Sequence, residues 1–307
     1  MPHVAVLLGG ASAEREISLQ TGAGVLAALE SLGYRTTTID PGDDLVDRLR
    51  AAKPDAIFNA LHGGAGENGT IQALLDWMEL GYQGSGMRAS AIAMDKWMTK
   101  AVMRASDLPT PGAVVIGADD APSTPPRRPG VPCVVKPLAE GSAVGVTIVR
   151  DESQWAGAID AARNVAGRML VEAYVRGREF TVSVLGSEAL PIIEILPADE
   201  FYSYHAKYTA GASRHMVPAE IDAAIAARMQ DYALRLHDAL GCRDYSRIDV
   251  MMDATDESLY LLECNTLPGL TALSLFPEAA AAAGIPYESL VDRLTRCALS
   301  RQGVGAR

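Results

Sequence analysis

Two short runs, RID at 247–249 and ECN at 263–265, hold the residue types best suited to chemistry. On a β-strand, residues two apart point to the same face, so Arg247 pairs with Asp249 and Glu263 with Asn265. If the strands YSRIDVMMD and SLYLLECN lie side by side, one face carries an arginine, two carboxylates and an amide oxygen. That donor set is hard and all-oxygen, suited to Mg²⁺. The alternative is a solvated face with a surface ion pair. Against it, both runs are otherwise apolar, and two half-buried carboxylates need a counter-cation. Directly after them, NTLPGLTALS places Gly269 behind a proline, in a turn whose backbone N–H groups can approach a ligand closely. Beside a cation and Arg247, such donors suit an oxyanion.

Further along, KPLAEGSAVGV (136–146) has the glycines of a phosphate-holding loop but lacks the Lys-Ser or Lys-Thr of a P-loop. Three lysines are candidates for phosphate contact. Lys136 ends an apolar strand, Lys207 sits between tyrosines in a long loop, and Lys96 has little of its own to distinguish it. In VEAYVRGRE, Glu172 closes a strand before a short hydrophobic hinge, an edge that could hydrogen-bond an adenine. His62 in LHGGAGENG could meet a ligand or simply stabilise its turn. GSGMRA (84–89) has the form of a dinucleotide fingerprint, but no acidic residue ends a strand about 20 residues on. It reads as a tight turn before a helix. There is no G-x-S-x-G and no Ser-His-Asp or Cys-His arrangement, so hydrolase chemistry has no support.

These residues need a framework, and 307 residues are enough for two or three compact lobes. A net charge of −11 argues against a general nucleic-acid or anionic-membrane binder. The four cysteines are scattered without a CxxC pair, as expected of free thiols in a reducing compartment. No stretch approaches the roughly 18 apolar residues of a membrane span. The N-terminus reads as a strand entering a glycine turn, and the expected location is cytoplasmic.

VAVLLGG (4–10), YRTTTID (34–40) and DAIFNAL (55–61) alternate with helical stretches, the first of which Ser12 is placed to cap. This predicts an α/β class with a parallel sheet in an N-terminal domain, 1–95. A small central lobe follows at 96–178. It holds the helix within 94–108, the strands VPCVVKP, VGVTIVR and RMLVEAYV, and the helix ESQWAGAIDAARNV. A C-terminal lobe, 179–307, opens with EFTVSVLG and ALPIIEIL as an antiparallel pair. The run 201–219, polar and aromatic without a clear period, reads as a lid.

Taken together, LLGGASAEREIS, HGGAGENGTIQA, KPLAEGSAVGV and RIDVMMD…LYLLECNTLPG resemble the D-alanine–D-alanine ligases of the ATP-grasp superfamily. The likeness runs from about Val4 to the last helix. It implies an ATP-grasp fold in which ATP lies between the central and C-terminal lobes. Mg²⁺, with Mn²⁺ as a substitute, would be held by Asp249, Glu263 and Asn265. On the family pattern Lys96, Lys136 and Lys207 meet phosphates, and Glu172, Tyr174, Val175 and Glu179 surround the adenosine. Glu14 matches the carboxylate that holds the amino group of the first D-alanine. Ser142 and Tyr208 match its partners in lid closure, and His62 a group near the same substrate. Arg247 and the N–H of Gly269 match the oxyanion donors, and Ser274 a contact to the second substrate's carboxylate. The resemblance also implies a homodimer acting on small molecules, with no nucleic acid or membrane partner.

Two positions depart from the pattern. Ala143 stands where many relatives carry a second serine, and Cys264 replaces an aliphatic residue between two metal ligands, facing the opposite way. HAKY keeps the tyrosine associated with D-alanine as second substrate. Ligation of another D-amino or D-hydroxy acid, and an ATP-binding regulator without turnover, are the alternative readings.

Overall fold

A computed structural model describes residues 1–117, 121–139, 141, 144–165, 167–197 and 213–301. Strands β1 (His3–Leu7), β2 (Arg35–Ile39) and β3 (Ala56–Asn59) form a parallel sheet in the order β2-β1-β3. The central strand HVAVL is buried along its whole length, as a parallel strand covered on both faces requires. Helices α1 (Arg15–Ser31) and α2 (Leu45–Ala52) supply the crossovers. Ser12 is not the cap of α1. Glu14 occupies that position, while the Ser12 hydroxyl accepts the Glu14 N–H at 3.1 Å and donates to the His62 carbonyl. The serine thus ties the start of α1 to the end of β3.

The middle of the chain forms an antiparallel sheet from β4 (Ala113–Gly117), β5 (Cys133–Pro137), β6 (Thr147–Val149) and β7 (Arg168–Ala173), in the order β4-β7-β5-β6. Strand β4 adds to the elements expected from sequence. Beyond α3 (Thr70–Trp77), α4 (Met87–Met94) and α5 (Lys96–Ala105), helix α6 (Trp155–Arg163) lays Trp155, Ala158, Ile159 and Ala162 against Cys133, Val135 and Val171. This i, i+3, i+4 stripe is the signature of an amphipathic helix on a sheet.

The third sheet is antiparallel and runs β11-β10-β8-β12-β13, with β9 on β8. Its strands are β8 (Gly177–Leu185), β9 (Glu188–Ala189), β10 (Ile193–Pro197), β11 (Ser213–Met216), β12 (Tyr245–Asp253) and β13 (Leu259–Asn265). The expected pairs β8/β10 and β12/β13 both form. Of the run 201–219, Ser213–Met216 is the edge strand β11 and not irregular, because its backbone completes the ladder of β10. Residues 201–212 lie outside the described residues.

Helix α7 (Ala223–Leu240) starts at Asp222, whose carboxylate accepts the Ala224 N–H, and stops at the left-handed Gly241. Helices α4 and α5 pack on α7 and β13, so both lie against the third sheet. The turn 84–86 before α4 is held by the protein itself. The Gly84 N–H donates to the Asp244 carboxylate at 2.7 Å, which fits a turn and not a nucleotide site. After α8 (Leu275–Ala282), the last helix α9 (Tyr287–Leu299) returns to α1 and β3. One core therefore joins Val4, Val6 and Leu29 of the first lobe to Tyr245, Phe276, Leu290 and Leu294.

Candidate active site

Strands β12 and β13 pair with Arg247 opposite Asn265 and Asp249 opposite Glu263, and a bulge follows between Asp249 and Val250. The four polar side chains thus share one face, and Cys264 on the other face is buried in the core. Asp249 accepts two hydrogen bonds from Arg247, Nε and Nη2 each at 2.9 Å, and one from Thr181 Oγ1 of β8 at 2.8 Å. Directly opposed carboxylates repel, so this pair needs positive charge close by. Among the described residues no three His, Cys, Asp or Glu side chains form a metal cluster. Two carboxylates and the Asn265 amide are a partial shell, of the kind Mg²⁺ completes with water and phosphate oxygens. The donors present fit such an ion.

Asn265 Oδ1 accepts the Leu267 N–H at 2.9 Å, which fixes the amide and opens the turn to Gly269. A Cβ on Gly269 would lie 2.8 Å from Ser274 Oγ and 3.7 Å from the His62 ring, so a larger residue here would displace the Ser274 hydroxyl. Ser274 stands at the N-cap position of α8, and its hydroxyl oxygen accepts the Thr271 N–H at 3.0 Å. His62, buried just after β3, meets Thr21 Oγ1 at 2.9 Å through Nε2 and Glu67 Oε1 at 3.3 Å through Nδ1. Thr21 and Glu67 were not anticipated. Glu67 could have been found, since it closes the same glycine loop as His62; Thr21 is brought there only by the fold.

Glu14 sits across from these groups at the N-terminus of α1, where the helix dipole favours an anion. Its carboxylate would be 2.6 Å from a Cβ on Gly63, a residue with φ of +65° that is thereby required to be glycine. Gly141, in the loop after β5, approaches the same carboxylate, with its Cβ position 3.6 Å from Oε2. Glu14, His62, Lys96 and Gly141 line one cleft with Arg247, Glu263, Asn265, Gly269 and Ser274. Ser142, Lys207 and Tyr208 lie outside the described residues.

Lys96 is the first residue of α5, a place where a cation opposes the helix dipole, so its charge is not there for the helix. Its N–H bonds the Leu138 carbonyl just after β5. Behind it lies a second cluster. Glu172 on β7 is buried between Lys136 of β5, ion-paired through Oε1, and Lys100 of α5, 2.7 Å from Oε2. Burial acts to raise the Glu172 carboxyl, but the Lys136 and Lys100 ammonium groups outweigh it and hold the carboxyl below its usual range. Burial lowers Lys100 to about 8 despite the attraction of Glu172. Tyr174 and Val175 are half-buried on the link from β7 to β8, and Glu179 lies on β8 itself.

Residues 103–296 match the family model described as D-ala D-ala ligase C-terminus. The chain is 45% identical to the D-alanine–D-alanine ligase of Synechococcus sp. (strain JA-2-3B'a(2-13)), over 99% of this chain and 96% of that one. It is 46% identical to that of Gluconobacter oxydans (strain 621H), over 97% and 99%. The chain belongs to the D-alanine–D-alanine ligase family. Its ATP-grasp architecture matches the crystal structure of the Bacillus anthracis family member complexed with ATP. That match has a TM-score of 0.86 and 32% identity, and covers 99% of this chain and 100% of that one. A second structure of the B. anthracis ligase gives 0.87 and 34% over the same shares. Among the described residues of this family member, no helix is long and apolar enough to cross a membrane.

Proposed function

We propose that the chain joins two D-alanines into D-alanyl-D-alanine, with ATP converted to ADP and phosphate, as a cytoplasmic step of peptidoglycan precursor synthesis. The observation that carries this reading is the single cleft in which Glu14 faces Arg247, Glu263, Asn265 and Gly269. A carboxylate is a poor acyl donor, so it must first be activated. A carboxylate oxygen of the first D-alanine takes the γ-phosphoryl group of ATP, ADP departs, and an acyl phosphate results. Glu14 holds the ammonium group of that substrate, and His62, fixed by Thr21 and Glu67, borders it. The amine of the second D-alanine then attacks the carbonyl carbon, and the C–O bond to phosphate breaks.

Arg247 and the Gly269 N–H receive the oxyanion, and Ser274 meets the second carboxylate. Lys96, Lys136 and Lys207 contact the phosphates. Glu172, Tyr174, Val175 and Glu179 border the adenosine at the junction of the second and third sheets. Mg²⁺ or Mn²⁺, held by Asp249, Glu263 and Asn265, would spread the transferring charge. Residues 96–178 and 179–307 act as the two nucleotide lobes beside 1–95. The part of the run 201–219 that precedes strand β11, with Tyr208 and Ser142, would exclude water from the acyl phosphate. The resemblance also supports a homodimer, which light scattering on the purified protein measures.

Incubation with ATP, Mg²⁺ and D-alanine should release equal amounts of phosphate and dipeptide. Phosphate release with L-alanine alone would sink the reading. Faster ligation of D-lactate or D-serine as second substrate would move it to another member of the class. ATP binding without phosphate release across D-amino acids would make the protein a regulator.

A further inference from the structure

Lys100 has no part in the chemistry above, yet its ammonium group is completely buried. It lies 2.7 Å from Glu172 Oε2, donates to Thr110 Oγ1 at 2.7 Å, and reaches the Pro111 carbonyl at 3.2 Å. Glu172 already has Lys136 on its other oxygen. One buried carboxylate therefore carries two ammonium groups where one would balance its charge. Burying the surplus cation is unfavourable, and the depressed proton affinity of Lys100 reflects that. The two lysines differ in their settings. Lys136 is at the end of β5, next to the loop that reaches Glu14, whereas Lys100 is locked between α5 and the 110–111 turn.

We propose that Lys100 is a positioning residue: it is the permanent counterion of Glu172, and it frees Lys136 to exchange that carboxylate for the phosphates of ATP. The inference rests on the reading of Lys136 as a phosphate contact. Without Lys100, departure of Lys136 would leave a carboxylate buried and unpaired, so Lys136 stays where it is. The same anchor reaches the metal-binding strand, because Thr110 Oγ1 donates onward to the Leu261 carbonyl of β13.

The test compares dissociation constants for ATP with Mg²⁺ and for adenosine, by calorimetric titration of the full chain. Adenosine has no phosphates and does not need Lys136. Lys100→Met should weaken ATP by on the order of 100-fold and leave adenosine nearly unchanged. Adding Glu172→Gln should restore the ATP-to-adenosine affinity ratio to that of Glu172→Gln alone, since no carboxylate remains to hold Lys136. Equal losses for both ligands, no loss, or no restoration would each overturn the proposal. If Lys100→Met does not fold, the double variant against Glu172→Gln decides: equal ratios support the exchange, and a lower ratio in the double variant overturns it. Lys136→Met with undiminished ATP affinity would instead overturn the phosphate reading of Lys136, on which the exchange depends.

Discussion

Asp249 shows how much of the site is prepared by the protein alone. Arg247 and Thr181 hold its carboxylate in place from two strands, and Glu263 stands opposite it. On the proposed function, Glu263 would be the ligand whose charge the cation must balance. Glu263→Gln should lower kcat on the order of 100-fold or more while thermal unfolding stays close to wild type. A steady-state phosphate-release assay beside a melting curve reads both. The next residue gives the opposite outcome. Cys264 faces the core with its Sγ 3.9 Å from that of Cys242. Cys264→Ala should cost about 1 kcal/mol of stability in denaturant unfolding and leave kcat within about twofold. A large loss of turnover there would mean that the two faces of β13 are not independent.

At the level of elements, the site was legible where alternation alone decides geometry. RID and ECN could be placed on one face because a strand has a period of two, and the apolar residues around them marked both strands as half-buried. Lys100 was not legible. Nothing in DKWMTKAVM says that the lysine four residues after Lys96 meets a glutamate on a distant strand, because that depends on α5 resting on the 110–111 turn and on β4, which follows it, lying beside β7. Strand β11 was missed for a related reason: SRHM is polar, and an edge strand takes its order from its neighbour's backbone and not from its own pattern. Capping is more local and can be tested directly. Asp95 accepts the N–H groups of Trp97 and Met98 at 2.9 and 3.0 Å, fixing the start of α5 and hence Lys96. Asp95→Ala should cost about 1 kcal/mol and raise the KM for ATP more than that for D-alanine.

Helix α7 makes stability depend on pH. His237 is buried against Ser246 Oγ at 2.7 Å, and burial holds its proton affinity below the ordinary 6.5, with Asp238 and Asp244 offsetting only part. The unfolded chain then takes up a proton near pH 6.5 and the folded chain only at lower pH. Stability is full above that value and is lost as pH falls through the folded pKa. Urea unfolding at pH 7.5 and 5.5 should show this loss, and His237→Gln should reduce it. An identical pH dependence in the variant would assign the effect elsewhere.

For the whole molecule, the dominant feature is the core shared by the two ends of the chain. Leu290, Val291 and Leu294 of α9 are fully buried, each contributing about 1.5–3 kcal/mol, and they cover Val4, Val6 and Leu29. Tyr34 fastens the same contact through a 2.7 Å hydrogen bond to Asp292. A chain ending at Gly284 should therefore lose most of a typical domain stability of about 5–15 kcal/mol and be recovered largely aggregated. Comparing soluble yield and melting with the full chain checks this.

The return of α9 to α1 also sets an order in time. A ribosome delivers β1, α1 and β3 well before α9, so the apolar face of the first sheet waits through the synthesis of all the elements between them for its cover. Glu14 and His62 belong to that waiting lobe. The side of the cleft that carries Glu14 and His62 is thus made long before the helix that completes its core.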